Sequence, residues 1–440
     1  MKLISSQTKQ VLSLALPAAL KHLVDILQVL VDMLMVGRVG VASLGAVGIA
    51  MQFLMFLNVL MTLYVVGGNS LIARLIGSGR KKRASRMVFS LAFFALVLSS
   101  VVAFVLYPWS EFLYGLMGAS SEIALEGERY FGTILLGLPL LFLDNLLYNA
   151  LSAAGDTKSS LYIKLISTLI NALANYALIF GHFGFDAMGV EGAAIATLLS
   201  YGFNVVVYMW LLLYQSEAKL LFYPRINIAD IKAALSIGYP AAIDRGISVF
   251  SFLLFVSIIA NYGVAELAGY QVGLRIEGVA FMPGLGFAIA SMALVGQSLG
   301  AKKEQKAYEM GLTTAKIAAY FMGTVGVFLI VFSSFFAGFF TNDAKTIEVA
   351  SSYLFWVGLA QIPLAFTFVF SASLRSAAQT KTVMRVNVFS LWFLRVIPSY
   401  IAYRFHLEIV AIFIIMNIET LIKGVIFYRI YQAKKWLKGK

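Results

Sequence analysis

Twelve apolar segments, each long enough to cross a lipid bilayer as a helix, dominate this chain of 440 residues. A spanning helix needs about 20 mainly apolar residues. The mean hydropathy is +0.87 and 12% of the residues are charged, against about 25% in soluble domains. One water-soluble core cannot hold so many apolar side chains. The segments lie at residues 11–36, 42–71, 87–108, 130–153, 161–181, 189–214, 233–261, 267–299, 310–340, 351–374, 383–403 and 409–428.

The segments are continuous apolar runs rather than the alternating runs of about ten residues that form a transmembrane β-barrel. We therefore predict an all-α polytopic membrane protein. The chain has no cysteine, and its three histidines are not spaced as metal ligands. Thiolate chemistry, a disulfide scaffold and most zinc sites are thereby excluded, and no enzyme motif pairs a histidine with a serine. We expect no enzyme activity and no cofactor.

Basic residues are distributed unequally between the two sides. The loops after odd-numbered segments hold four of the 34 Lys and Arg, while the second loop alone reads RLIGSGRKKRASR. Because cytoplasmic loops carry the positive excess, we predict that both termini are cytoplasmic. The net charge of +13 then reflects topology, and we do not expect binding to nucleic acid.

The two halves of the chain repeat each other when shifted by 223 residues, the distance from Pro17 to Pro240. In the same register GVASL meets GVAEL and AAGDTK meets SAAQTK. Six segments in each half predict parallel insertion and a pseudo-twofold axis along the membrane normal, as in transporters built from parallel repeats. We predict an N-lobe at 1–214, a cytoplasmic linker at 215–232 and a C-lobe at 233–440.

A transporter of this kind needs an energy source, and the chain has no G-x-x-x-x-G-K-[ST] motif for a nucleotide. An ion gradient remains as the energy source. Its use requires ionisable groups inside the bilayer, where each buried charge costs free energy. Glu419 and Lys423 are four residues apart and are predicted to form a structural pair. The candidates are Lys21, Asp25, Asp32, Asp144, Asp244, Arg245, Arg275, Glu277, Arg395, Glu419 and Lys423.

Several motifs in both halves resemble the multidrug and toxic compound extrusion (MATE) family: LPAALKHLVDILQVLVDMLMVGRVG, NALSAAGDTKSSL, GVEGAAIATLLSYG and RIEGVAFMPGLGFAIASMALVGQSLGAKK. The resemblance covers nearly the whole chain. It implies twelve helices in two six-helix lobes arranged as a V. It also implies secondary active export of organic, often cationic and amphipathic, compounds in exchange for Na⁺ or H⁺. The expected location is a prokaryotic cytoplasmic (inner) membrane.

The resemblance also implies a cation site in the N-lobe. The family's first-helix aspartate matches Asp32, its fifth-helix pair matches Asn171 and Asn175, and its sixth-helix threonine matches Thr197. Asn171 and Asn175 share one helical face, and oxygen ligands suit a hard monovalent cation such as Na⁺. The same carboxylate can carry a proton instead. Intramembrane Asn also commonly joins helices, which is the structural alternative.

The C-lobe departs from the NorM-like branch of the family. Where that branch has acids on its seventh and tenth helices, this chain has Ser248 and Leu364. A C-lobe cation site is therefore expected only if Asp244 or Glu277 substitutes.

Two further pairings follow from position along the helices. Arg245 and Glu277 lie at similar depth on adjacent antiparallel segments, so we predict that they pair. The alternative makes Glu277 a protonation site. Arg275 is two residues from Glu277, cannot face it and needs another partner.

Lys21 and Asp244 occupy equivalent places in the repeat. We hypothesise that they form an inner gate that closes when the cavity opens outward. The alternative is a local pair between Lys21 and Asp25, which are four residues apart.

The leading functional prediction is a monomeric multidrug antiporter in contact with membrane lipids. The alternative is a flippase for lipid intermediates. A flippase cavity should be strongly basic to hold a pyrophosphate, and the near balance of acids and bases among the buried candidates argues against it.

Overall fold

The computed structural model describes residues 6–215, 220 and 223–437. These residues form α-helices joined by short turns, with a 3-10 turn at Tyr107–Trp109 and π segments at Leu211–Gln215 and Ser390–Val396, and the described part contains no strand. The helices are α1 Ser6–Gly37, α2 Val41–Gly77, α3 Lys81–Leu106, α4 Ser110–Leu116, α5 Ser121–Leu136, α6 Leu138–Ala154, α7 Thr157–Phe180, α8 Gly189–Trp210, α9 Ile228–Ala260, α10 Val264–Ala280, α11 Met282–Gly300, α12 Glu304–Val331, α13 Ser333–Gly338, α14 Ala344–Ser376, α15 Thr380–Phe389, α16 Ile397–Arg404 and α17 Ile409–Gln432.

Eleven helical stretches among the described residues are long and apolar enough to span a membrane. A twelfth span results when α5 and α6 are counted together, and these two helices meet at an angle of 54°. Pro139 lies in the first turn of α6 and has no N–H to continue the hydrogen bonding of α5, which accounts for the break at Gly137. The prediction of twelve membrane helices is confirmed.

The eighth predicted segment, 267–299, differs from the structure because it is two helices rather than one. Helix α10 ends at Ala280 and α11 begins at Met282, with Pro283 in its first turn. Apolar composition continues across Phe281, so a hydropathy argument cannot detect the change of helix. The proline again removes a backbone donor at the junction.

The described chain divides into two compact units. We call residues 21–238 the N unit, and residues 6–20 with 239–437 the C unit. This division differs from the predicted lobes in the first part of α1, which belongs to the C unit, and in the first part of α9, which belongs to the N unit.

Packing explains the assignment of the first part of α1. Val11, Leu14 and Ala15 are buried in the apolar core of the C unit, among side chains of α11, α12 and α14. Gly286 of α11 approaches the backbone of Ala15 so closely that a Cβ would lie 2.4 Å from its carbonyl oxygen. Such contact requires a glycine at this helix crossing.

Close backbone contact likewise fixes the first part of α9 in the N unit. A Cβ on Gly67 of α2 would lie 1.9 Å from the carbonyl oxygen of Ala234, and one on Gly238 would lie 1.8 Å from that of Leu63. Small residues let helix backbones approach in membranes, where apolar lipid gives no hydrophobic drive to association.

Gly67→Ala is therefore expected to destabilise the protein by about 1–3 kcal/mol, because two backbones must separate to admit one methyl group. Thermal unfolding in detergent measures the effect. Gly48→Ala in the same helix is the matched control, since a Cβ there meets nothing within 4 Å. Equal unfolding temperatures for the two variants would contradict the close approach.

Candidate functional site

Helices α1 and α7 each carry four polar residues with the same spacing. The residues fall at i, i+4, i+7 and i+11, which places them on one face of an α-helix with 3.6 residues per turn. They are Lys21, Asp25, Gln28 and Asp32 on α1, and Lys164, Thr168, Asn171 and Asn175 on α7.

The two polar faces contact each other along their length. Lys164 Nζ lies 2.9 Å from Asp25 Oδ1 and donates to Gln28 Oε1 at 2.5 Å. Nearer the C-terminal ends of α1 and α7, Asn175 Nδ2 donates to Asp32 Oδ1 at 2.5 Å. Buried polar groups need such partners, so these contacts fix the register of α1 against α7.

The structure brings together Asp32, Asn171 and Asn175, which the family resemblance proposed as ion ligands. Both asparagines are fully buried. Asn175 Nδ2 also reaches Asn171 Oδ1 at 3.3 Å. Asn175 Oδ1 and Asn171 Nδ2 are buried and have no hydrogen-bond partner among the described residues. An orphaned amide oxygen on a side chain that contacts a carboxylate fits the donor set that a small hard cation prefers.

Of these three residues, Asp32 borders a cavity of about 260 Å³ inside the N unit, and the two asparagines lie behind it. Asp32 and Thr197 line it, as do Asp144 and Asn145 of α6. The Thr197 hydroxyl donates to Ala193 O of its own helix at 3.0 Å, so its oxygen remains an acceptor toward the cavity. The Oδ1 atom of Asp144 is buried and accepts no hydrogen bond from the described residues.

Charge is distributed unevenly within the cavity. At one end the carboxylate of Asp25 lies 2.9 Å from both Lys21 Nζ and Lys164 Nζ. Two ammonium groups on one carboxylate leave a net positive charge there. Asp32 and Asp144 also line the cavity, and neither forms an ion pair with a base among the described residues.

Lys164 is the residue that sequence reasoning missed. It lies three residues inside the predicted fifth segment, 161–181, and is absent from the buried ionisable candidates named above. Its spacing of seven residues from Asn171 was the available signal, because that spacing returns to the same helical face.

In the C unit, Asp244 is buried and paired within the unit. Its Oδ2 accepts from Arg375 at 2.7 Å and from Asn387 at 2.9 Å. The alternative local pair of Lys21 with Asp25 is formed as well. The inner gate of Lys21 and Asp244 would require both to leave these partners, and it stays a prediction.

The predicted pair of Arg245 and Glu277 is wrong. Glu277 is buried and accepts a hydrogen bond from the hydroxyl of Tyr353 in α14. Arg245 and Arg275 are exposed, and neither forms an ion pair with any described carboxylate. Similar depth along two helices does not by itself turn two side chains toward each other, so depth alone cannot pair Arg245 with Glu277. The role of Glu277 in protonation stays a prediction.

The predicted pair of Glu419 and Lys423 is confirmed and is part of a larger network. Lys423 Nζ lies 2.8 Å from Glu419 Oε1, and Arg395 lies 2.6 Å from Oε2. Ser390 of the π segment donates to the same carboxylate. Glu419 is fully buried, so this network joins the π segment to α17 and leaves no free oxygen for an ion.

Comparison with known proteins agrees with this architecture. The MatE family model matches the chain twice, over residues 17–177 and 240–401, which together make more than half of it. The chain belongs to the MatE family. The two matches begin at Pro17 and Pro240, the prolines that the internal repeat aligns.

Curated relatives of this MatE protein match nearly its whole length. A probable multidrug resistance protein NorM of Thermotoga maritima is 26% identical over 435 residues, covering 98% of this chain and 93% of the relative. A NorM protein of Mannheimia succiniciproducens is 27% identical, covering 98% and 94%. The multidrug resistance protein MdtK of Yersinia pseudotuberculosis is 22% identical, covering 90% and 87%.

Solved structures show that this MatE protein has the MATE fold. An outward-facing multidrug resistance MATE transporter matches with a TM-score of 0.90 and 22% identity, over 99% of this chain and 97% of that one. The Vibrio cholerae transporter VcmN in its bent form matches with a TM-score of 0.90 and 20% identity, over 98% and 97%. The predicted all-α, two-lobed fold class is confirmed.

Proposed function

We propose that this protein is a secondary active antiporter that exports small organic, often cationic and amphipathic, compounds in exchange for Na⁺ or H⁺. The relatives named multidrug resistance proteins support the export of diverse compounds. The proposal places the chain in the cytoplasmic membrane with both termini in the cytoplasm. A monomer suffices, because residues of one unit of one chain line the whole cavity.

The observation that carries the proposal is the contact between Asp32 and Asn175. The Asn175 amide donates to the carboxylate, while its own oxygen lies buried without a partner. Turning the amide would place its oxygen beside Asp32. Two oxygens in contact repel each other unless a cation or a proton lies between them. A bound Na⁺ and a proton on Asp32 therefore both favour the turned amide.

Binding at Asp32 is proposed to change the charge that an organic substrate meets. With Asp32 ionised, the cavity presents two carboxylates outside any ion pair, Asp32 and Asp144, to a cationic compound. A Na⁺ or a proton at Asp32 cancels one of these charges and lowers the affinity for that compound. The coupling ion and the organic compound thus compete for binding, and exchange of one for the other requires this competition.

The apolar lining of the cavity suits variable substrates. Met51, Leu54, Met61 and Leu141 contribute to it. Methionine and leucine side chains are unbranched at Cβ, and methionine in particular adapts to ligands of different shape. Three carboxylates against two ammonium groups leave no net positive charge for a pyrophosphate, so the cavity does not favour the flippase alternative.

Purified protein in proteoliposomes tests the proposal. We expect transport of a fluorescent organic cation to follow an imposed Na⁺ gradient or an imposed pH gradient, and to stop when an ionophore collapses that gradient. A fluorescent phospholipid in parallel vesicles should not change leaflets faster than in protein-free vesicles. Rapid lipid movement together with no gradient-driven cation transport would replace antiport with the flippase function.

A further inference from the structure

A second cavity, of about 440 Å³, lies in the C unit where the end of α17 meets the turn between α14 and α15. Leu374, Ile430 and Trp436 supply apolar lining. Trp436 is 3% exposed, and its Nε1 donates to Tyr431 O at 2.9 Å, which holds the indole in place. The cavity therefore has a fixed, mainly apolar wall.

Two bases, Arg429 and Lys435, also line this cavity. Both are exposed, and neither forms an ion pair with a carboxylate in the part of the chain that the structure describes. Apolar lining beside two unneutralised cations is the arrangement that binds an amphiphile with an anionic head.

The beginning of α15 adds to the positive potential. Gln379 and Thr382 line the cavity, and Gln379 is the N-cap of α15 but makes no side-chain capping bond. Its Oε1 instead accepts from the Thr382 hydroxyl at 3.3 Å. The first N–H groups of a helix lack intrahelical partners, and the helix dipole favours an anion beside them.

The internal repeat shows what the N unit has at the equivalent place. Asp156 aligns with Gln379 in the register that matches AAGDTK to SAAQTK. Asp156 caps α7, and its Oδ1 accepts from the Ser159 N–H at 3.0 Å. The N unit therefore supplies its own anion, whereas the C unit has a neutral residue and two nearby bases.

We propose that this cavity binds the phosphate headgroup of an anionic phospholipid, with Arg429 and Lys435 on the phosphate and the apolar wall against the glycerol and acyl portion. Basic pockets between membrane helices on the cytoplasmic side are suited to such headgroups. The charge distribution of the loops places this end of the C unit at the cytoplasmic leaflet. A free phosphate would use the bases but not the apolar wall.

Native mass spectrometry of the full-length protein in detergent tests the proposal. We expect one bound phosphatidylglycerol to survive at detergent concentrations that remove phosphatidylcholine. The double variant Arg429→Gln/Lys435→Gln should lower phosphatidylglycerol retention about tenfold, since each base near an anionic leaflet contributes to binding. Lys81→Gln/Lys82→Gln, which removes two exposed bases at the beginning of α3, should leave it unchanged.

Gln379→Asp is the second test, because it copies Asp156 and supplies an internal anion. We expect it to lower phosphatidylglycerol retention without lowering the unfolding temperature, since a capping carboxylate stabilises a helix. Equal retention of the two lipids, or retention unchanged in both pocket variants, would overturn the proposal. Displacement of phosphatidylglycerol by millimolar inorganic phosphate would assign the pocket to free phosphate instead.

Discussion

Replacing Asp32 with Asn is expected to abolish gradient-driven export while the protein still inserts and folds. The amide keeps the size of the carboxylate and can still bond to Asn175, so packing between α1 and α7 is preserved. It can neither carry a proton nor offer a negative charge to Na⁺ or to an organic cation. In proteoliposomes the initial rate of transport should fall to that of empty vesicles.

Asp186→Asn provides the matched control for this experiment. It makes the same chemical change at an exposed residue between α7 and α8. Its transport should equal that of the wild type. Normal transport by Asp32→Asn would remove Asp32 from the coupling mechanism, while a shared loss in both variants would point to a general effect of the substitution.

Replacing Glu419 with Gln is expected to cost about 3–5 kcal/mol of stability, because it leaves buried bases without their countercharge. Arg395 and Lys423 both contact this carboxylate, and its burial is complete. Thermal unfolding in detergent should show a large decrease. Glu408→Gln at the exposed N-cap of α17 is the control, since Glu408 makes no side-chain capping bond, and its effect should stay within about 0.5 kcal/mol.

A triple variant separates loss of charge balance from loss of packing. Glu419→Leu with Arg395→Met and Lys423→Met removes all three charges and retains apolar volume. Replacing a complete buried ion network with apolar residues is often nearly neutral. We therefore expect the triple variant to unfold at a higher temperature than Glu419→Gln. The opposite order would show that hydrogen bonding to Ser390 and packing, rather than charge balance, hold α17 in place.

The sequence predicted the ligand set around Asp32 more fully than the rest of the polar network. Asn171 and Asn175 are close in sequence, and their spacing requires a shared helical face. Their contact with Asp32 followed from the family resemblance, not from spacing, because nothing in one helix specifies which face of another it meets. Lys164 differs, because its spacing of seven residues from Asn171 already places it on the same helical face.

The amino-acid sequence by itself determined the number of membrane helices, the all-α class and the internal repeat. These properties depend on local composition, since a bilayer requires about 20 apolar residues and internal backbone hydrogen bonding of every span. Pairings within one helix, such as Glu419 with Lys423, also depend on local sequence, because the 3.6-residue period of the helix brings residues four apart onto one face.

Only the tertiary structure decided which buried charges meet between helices. Asp244 pairs with Arg375 and Glu277 with Tyr353, and each contact joins residues far apart in the chain. It also decided that the first parts of α1 and α9 pack in the unit opposite to the one their sequence positions suggested. Interhelical contacts depend on rotation and crossing angle, and these are set by packing of small residues such as Gly67 and Gly286 rather than by the composition of either helix.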